Sequence, residues 1–238
     1  VELLLDKKTL YAVITGDLVG SSEIDYACRK AVLSYMHDSF RFLEKELNLK
    51  DDILLSFEIF RGDSFQAVLN PQHALLASMI LYLKLGIFDR KRADLSVRIS
   101  IGIGSIDYLP ESGNIGEADG MAFRLSGKAL DSMKEKDQYL LITSPDPALD
   151  LLFESQCAFF DLTASRWTDI QKEILLGKLS GLTQEEIASM KGKTQSSVSQ
   201  SLKAAGFDTI RIFLDNYESL FAYPGIFVQS DKNGPEHF

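Results

Sequence analysis

Cysteine is nearly absent: the chain has two in 238 residues, Cys28 and Cys157, far apart and in apolar surroundings. No CxxC or Cys/His spacing accompanies them. That excludes a disulfide framework and the common zinc and thiol-redox motifs, and predicts two buried, reduced thiols. Long apolar runs are missing as well; a stretch such as Ala74–Ile80 is far too short to cross a bilayer. The opening, Val1-Glu2-Leu3-Leu4-Leu5-Asp6, lacks the basic start and the length of a signal peptide. Together these absences predict a cytoplasmic protein with no membrane partner. Positive charge is also short, with 25 Lys and Arg against 34 Asp and Glu and a net charge of −9. Such a surface is unsuited to binding nucleic acid indiscriminately.

What is present fits one large or two ordinary globular domains, with 45% hydrophobic and 25% charged residues. The charge is uneven. Residues 165–211 carry seven Lys and Arg against five Asp and Glu, so the rest of the chain holds a net −11. Only the C-terminal part is electrostatically suited to meet phosphate.

Along the chain, Leu10–Thr15 reads as a buried strand ended by Gly16, and Asp17–Asp25 as a loop. Leu33, Met36, Phe40, Leu43 and Leu47 form one stripe of an amphipathic helix over Tyr26–Leu49. Ile53–Phe60 alternates as a strand with Ile53, Leu55, Phe57 and Ile59 on one face. Arg61-Gly62-Asp63 turns into a returning strand, Ser64–Leu69. Asn70-Pro71 caps a largely apolar helix through Leu85. Leu95–Ile106 alternates Val97, Ile99, Ile101 and Ile103 with Arg98, Ser100, Gly102 and Gly104; the small residues require something to approach that face closely. Glu58 and Arg98 are expected on neighbouring strands, on the open face, as a cross-strand ion pair rather than a substrate contact. A helix over Asp119–Lys134, capped by Asp119, and a strand over Gln138–Thr143 complete the order βαββαβαβ, whose first six elements are those of a ferredoxin-like unit.

Two Gly-Asp pairs stand out: Gly16-Asp17 at the end of the first strand and Gly62-Asp63 at the hairpin tip. Carboxylates so placed can meet across a sheet and form a minimal oxygen site for Mg²⁺ or Mn²⁺. The plainer alternative is structural, with Asp63 a turn residue and Asp17 a cap. The stretches Thr15–Ser22 and Phe60–Gln66 resemble the catalytic core of class III nucleotide cyclases. That resemblance implies that Asp17 and Asp63 hold divalent cations and that Gly20, Ser21 and Ser22 offer amides to a nucleotide's phosphates. The chain is more similar still to the SatD family, bacterial proteins with a cyclase-like region followed by a helix-turn-helix. Ile14–Val19, Gly62–Gln66, Arg98–Gly104 and Ala118–Phe123 carry that likeness in order. Active cyclases place Asn-x-x-x-Arg on the helix after the fourth strand, but Gly120–Leu130 contains none. Arg124 or Lys128 is left to meet phosphate from that helix, and no catalytic residue is assigned.

Near the C-terminus, Leu182–Ala188 followed by Thr194–Val198 reads as a helix-turn-helix, with Thr183 and Glu186 as a capping box. Helices are expected over Arg166–Leu179, Thr183–Met190 and Thr194–Ala205, the last extending through Ile210–Tyr223. Val198 and Leu202 face the small core. Gln195, Ser196, Ser197, Ser199 and Gln200 are left to reach base edges, while Lys193 and Lys203 hold phosphate. The stretch resembles region 4 of sigma factors and the helix-turn-helix of response regulators.

The expected fold is therefore α+β: a ferredoxin-like, class III nucleotide cyclase-like domain over residues 1–145, a helical connector over 146–164, a small all-α helix-turn-helix domain over 165–228 and a loose tail over 229–238. The expected protein is a homodimeric, DNA-binding transcriptional regulator whose first domain holds a nucleotide or a divalent ion. A metal-dependent nucleotidyl cyclase is the alternative.

Overall fold

The computed structural model describes residues 9–21, 25–47, 49–60, 62–88 and 95–222. Ser22, Arg61 and the tail 229–238, all named above, lie outside the described residues. The element order is β1 (Tyr11–Val19), α1 (Tyr26–Lys45), β2 (Ile53–Phe60), β3 (Ser64–Leu69), α2 (Pro71–Leu85), β4 (Ser96–Gly104), α3 (Met121–Lys136), β5 (Leu140–Thr143), α4 (Pro147–Ala164), α5 (Asp169–Leu179), α6 (Gln184–Lys191), α7 (Gln195–Ala204) and α8 (Phe207–Leu220). The fold is mixed α+β, and the expected βαββαβαβ order is observed. One five-stranded sheet has the order β2-β3-β1-β4-β5. Every neighbouring pair is antiparallel except β4 with β5.

Strand β1 lies at the centre and is longer than its apolar run suggests. Gly16 and Asp17 do not end it, because both still pair with Phe65 and Ser64 on one side and with Ile99 and Arg98 on the other. In β2 the expected alternation breaks. Two register shifts, between Ile53 and Leu55 and between Leu55 and Glu58, turn Leu55 away from Phe57. Phe57 packs in the main core, whereas Leu55 joins Val13, Val68, Ile106 and Ile115. The expected Glu58–Arg98 pair is also corrected. Strands β3 and β1 stand between β2 and β4, and Glu58 lies opposite Gln66 while Arg98 lies opposite Asp17.

The close approach demanded by the small residues of β4 is made by α3. A Cβ added to Gly102 would sit 2.2 Å from the Ala122 carbonyl oxygen and 2.5 Å from the Ser126 nitrogen. A buried polar seam locks the contact. Gln66 Nε2 donates to Thr15 Oγ1 (2.9 Å), the Thr15 and Ser126 hydroxyls share a hydrogen bond (2.9 Å), and Ser100 Oγ donates to the Ser126 carbonyl (2.8 Å). Asp119 does not cap α3 as expected. Gly120 takes that position, and Asp119 instead accepts from Arg124.

Helix α2 is apolar almost all round, with Ala74, Leu75, Ala77, Met79, Ile80, Leu81, Leu83 and Leu85 buried. Such a helix needs cover on every side. The sheet and α1 provide one part, and the C-terminal helices the rest. Tyr217 of α8 donates to the Pro71 carbonyl (2.8 Å), and the buried Lys172 of α5 donates to the Gly86 carbonyl (3.2 Å). Tyr82 packs edge-on against Phe160 and Trp167. One continuous hydrophobic cluster therefore runs from β1 to α8. Helix α4 docks through Phe153, Cys157, Phe160 and Ala164. Its Asp161 accepts from the Tyr139 backbone N–H (2.9 Å) at the start of β5. Burial pushes that carboxyl up to about 6, against the opposing pull of the Tyr139 and Leu140 amides. The long last helix expected from sequence is interrupted: Gly206, with φ at 74°, separates α7 from α8.

Gly102→Ala is expected to destabilise the protein by about 3 kcal/mol or more, since backbone rather than a movable side chain blocks the new methyl. Gly127, in α3 with open space around it, provides the contrast: Gly127→Ala should stabilise by about 0.5–1 kcal/mol. Urea denaturation of both variants checks the pair of signs.

Candidate functional site

Asp17 projects from the same face of β1 as Thr15, towards α3, in a row between Ser64 and Arg98. The hairpin between β2 and β3 brings Asp63 to the neighbouring position. Gly62 supplies the positive φ of the turn (83°), and the Leu18 backbone N–H donates to the Asp63 carbonyl (3.0 Å). Ser21 Oγ, from the loop after β1, donates to Asp63 Oδ2 (2.8 Å), and Ser64 Oγ lies 3.3 Å from Oδ1. The loop and the hairpin tip are thus tied together at the end of β1.

Burial raises the Asp17 carboxyl above the ordinary aspartate range; Lys134 and Arg98 pull it down, and the charge of Asp63 pushes it up. Lys134 Nζ stands 3.7 Å from Asp17 Oδ2. Asp17 Oδ1 is buried and accepts no hydrogen bond, and Arg98 Nε, on the adjoining strand, is likewise buried without a partner. A buried carboxylate oxygen without a donor is costly unless a cation meets it.

Other residues named from the sequence fall elsewhere. Gly20, with φ at 83°, and Ser21 lie on the loop beside Asp63. Arg124 is not beside Asp17. It is exposed near the start of α3, with Asp107 at 3.0 Å and Asp119 at 3.1 Å. Ten residues of helix separate it from Lys134, about 15 Å along the axis. Lys128 is exposed on the same helix. Among the described residues the side-chain cation within ion-pair distance of Asp17 is Lys134, which sequence reading missed. The spacing of Ala122, Ser126, Ala129 and Met133, the buried face of α3, could have found it. That stripe runs back along β4 from Gly104 towards Arg98, so the last turn of α3, not the first, overlies Asp17.

The donor set suits a hard cation. Asp17 and Asp63 are the residues that could hold such an ion, with water completing its coordination. Among the described residues no group of three or more His, Cys, Asp or Glu side chains converges to hold a metal by itself.

At the other end of the chain, Thr183 accepts from the Glu186 amide (3.2 Å) while Glu186 Oε2 accepts from the Thr183 amide (2.8 Å), the reciprocal cap expected. Those bonds hold the Glu186 carboxyl below its ordinary range. Gly192 (φ 60°) ends α6, and Thr194 caps α7. Val198 and Leu202 are buried; Lys193, Gln195, Ser196, Ser199, Gln200 and Lys203 are exposed, whereas Ser197 is half-buried. Gln195 also donates to Gln184 Oε1 of α6 (2.6 Å).

Opposite substitutions test the convergence at Asp17. Lys134→Met should raise the Asp17 pKa further, and Asp63→Asn should lower it. Carbon-detected NMR titration of the aspartate carboxyls reads both; a null result for Asp63→Asn would mean that the two carboxylates do not share a site.

None of the described helices is long and apolar enough to cross a membrane. No curated protein matches the chain. The SatD family model matches residues 11–220, from β1 to the end of α8. That span takes in the paired aspartates, the seam beneath α3 and the capped C-terminal helices alike, and the chain belongs to the SatD family.

Proposed function

We propose that this chain is a DNA-binding regulator whose sheet domain holds a divalent cation, alone or with a nucleotide's phosphates. The observation that carries the DNA-binding half is the arrangement of α6 and α7. A capped helix of eight residues, a glycine turn and a second capped helix pack on α5 through Ile174, Leu175, Ile187, Val198 and Leu202. In this reading the unit is a helix-turn-helix and α7 enters the major groove. Gln195, Ser196, Ser199 and Gln200 address bases, with Ser197 partly withheld by burial, and Lys193 and Lys203 neutralise phosphates. With few cations on this face and a net charge of −9, binding is weak and salt-sensitive.

The sensing half rests on Asp17, Asp63 and Ser21. The order β2-β3-β1-β4, with each of these pairs antiparallel, supports reading this part as a ferredoxin-like, cyclase-like unit. In this reading Asp17 and Asp63 ligate Mg²⁺ or Mn²⁺, and the loop with Gly20, Ser21 and Ser22 meets phosphate. The ion supplies charge neutralisation, and Lys134 must yield Asp17 to it. Control of DNA binding then requires that the ligand favour one of two states of the protein. Helix α2, covered by both parts of the chain, is the element through which they would communicate.

Fluorescence anisotropy with duplex DNA at low ionic strength tests this. Affinity should fall with added salt, and Lys203→Ala should make the log–log slope shallower by about 1. Gln200→Ala should leave the slope unchanged and relax sequence preference. Absence of salt-dependent binding removes the DNA-binding reading.

A second reading, a metal-dependent nucleotidyl cyclase, is favoured by the partnerless oxygen of Asp17. Incubation with ATP or GTP and Mn²⁺ separates the two. Turnover lost in both Asp17→Asn and Asp63→Asn supports the enzyme. A nucleotide-dependent rise in melting temperature without turnover supports the sensor.

A further inference from the structure

Helix α4 is apolar on two opposite faces. One carries Phe153, Cys157, Phe160 and Ala164 and is buried in the core. The other carries Leu151, Leu152, Phe159 and Leu162, which are 68%, 60%, 70% and 53% exposed. Scattered surface leucines need no explanation, but four large apolar side chains on one helix face form a patch, and helices apolar all round are ordinarily covered all round.

The spacing of that face says what covers it. Leu151, Ser155, Ala158 and Leu162 follow one another at intervals of four, three and four, the seam of a helix pair. The intervals read the same in either direction. A two-fold axis level with the midpoint between Gln156 and Cys157 sets Leu151 opposite Leu162 of a second copy and Ser155 opposite Ala158. The small residues fall at the middle, where two helix backbones come nearest, and the leucines close both ends. Leu152 and Phe159 flank the seam. Charge follows the same symmetry. Arg166, exposed just past the end of α4 and with no ion-pair partner among the described residues, comes level with the first turn of the second copy's α4. That turn holds the carboxylates of Asp146 and Asp150, which among the described residues of their own chain accept from Ser144, Ala148 and Leu149. Self-complementarity of this kind is the signature of an isologous contact.

We infer that α4 is the dimerisation helix of this protein and pairs antiparallel with α4 of a second copy. The patch is small beside the roughly 800 Å² per partner of a standard interface, so the dimer dissociates on dilution. This assignment is independent of what α7 or Asp17 binds.

Sedimentation velocity of the full chain tests it. The expected result is a concentration-dependent shift from the 26.6 kDa monomer to twice that mass. Leu151→Lys combined with Leu162→Lys should abolish the shift while leaving the far-ultraviolet circular dichroism unchanged, because both side chains face solvent in the single chain. Cysteine pairing then fixes the geometry. An equimolar mixture of Ser155→Cys and Ala158→Cys proteins should cross-link on mild oxidation, whereas each variant alone should not. A chain that stays monomeric at every concentration overturns the inference. So does a dimer indifferent to the lysine pair, or one in which each cysteine variant cross-links with itself.

Discussion

The docking of the C-terminal helices onto the sheet is arranged around the need to cover α2. A fifteen-residue helix with so little polar surface cannot lie on a sheet with its back to water. The sheet and α1 cover part of it. The remainder forces α5 and α8, with Trp167 and Phe160, to close over the outer side. The hydroxyl of Tyr217 and the ammonium of Lys172 finish that closure by satisfying backbone carbonyls at the two ends of the helix, Pro71 and Gly86. Fully buried polar groups of this kind persist only when bonded. They show that the contact between the C-terminal helices and α2 is part of the folded core, not a loose association of beads on a string.

The same economy governs the face bearing Asp17. Removing side chains from β4 at Gly102 and Gly104 lets the backbone of α3 settle directly onto the strand. The chain of hydroxyls through Thr15, Ser126 and Ser100 then fixes the helix in rotation and in height. Its last turn therefore delivers Lys134 to Asp17, while its first turn leaves Arg124 with Asp107 and Asp119. A half-buried aspartate with one oxygen beside an ammonium and the other buried with no donor is half-compensated. That imbalance is the physical basis for expecting a cation there.

Much of the fold was legible because local signals agreed with one another. Asn70-Pro71 marked the start of α2, and Thr183 with Glu186 marked α6, since capping is settled within four residues. Strands β2 and β3 were readable as runs, but the faces of β2 were not. The shifts around Leu55 depend on how the strand meets β3, and alternation alone cannot reveal a bulge. The expected pairing of Glu58 with Arg98 failed for a related reason: strand order is a long-range property. Gly206 hides in an apolar-periodic stretch, and only its left-handed conformation breaks the last helix in two. At the candidate site the two aspartates were visible as Gly-Asp pairs. Lys134 was not, because its place depends on the direction in which α3 crosses the sheet.

Asp161 adds a property that a list of contacts would not suggest. Its carboxyl, wedged between α4 and the start of β5, ionises at about 6 instead of at the ordinary 3.8. Folding therefore favours the protonated form. The stabilisation that this group contributes is complete below the unfolded value and disappears as pH climbs through the folded one. Mild acidification, which undoes many proteins by neutralising their salt bridges, would at this seam draw the terminal strand and its covering helix more firmly together.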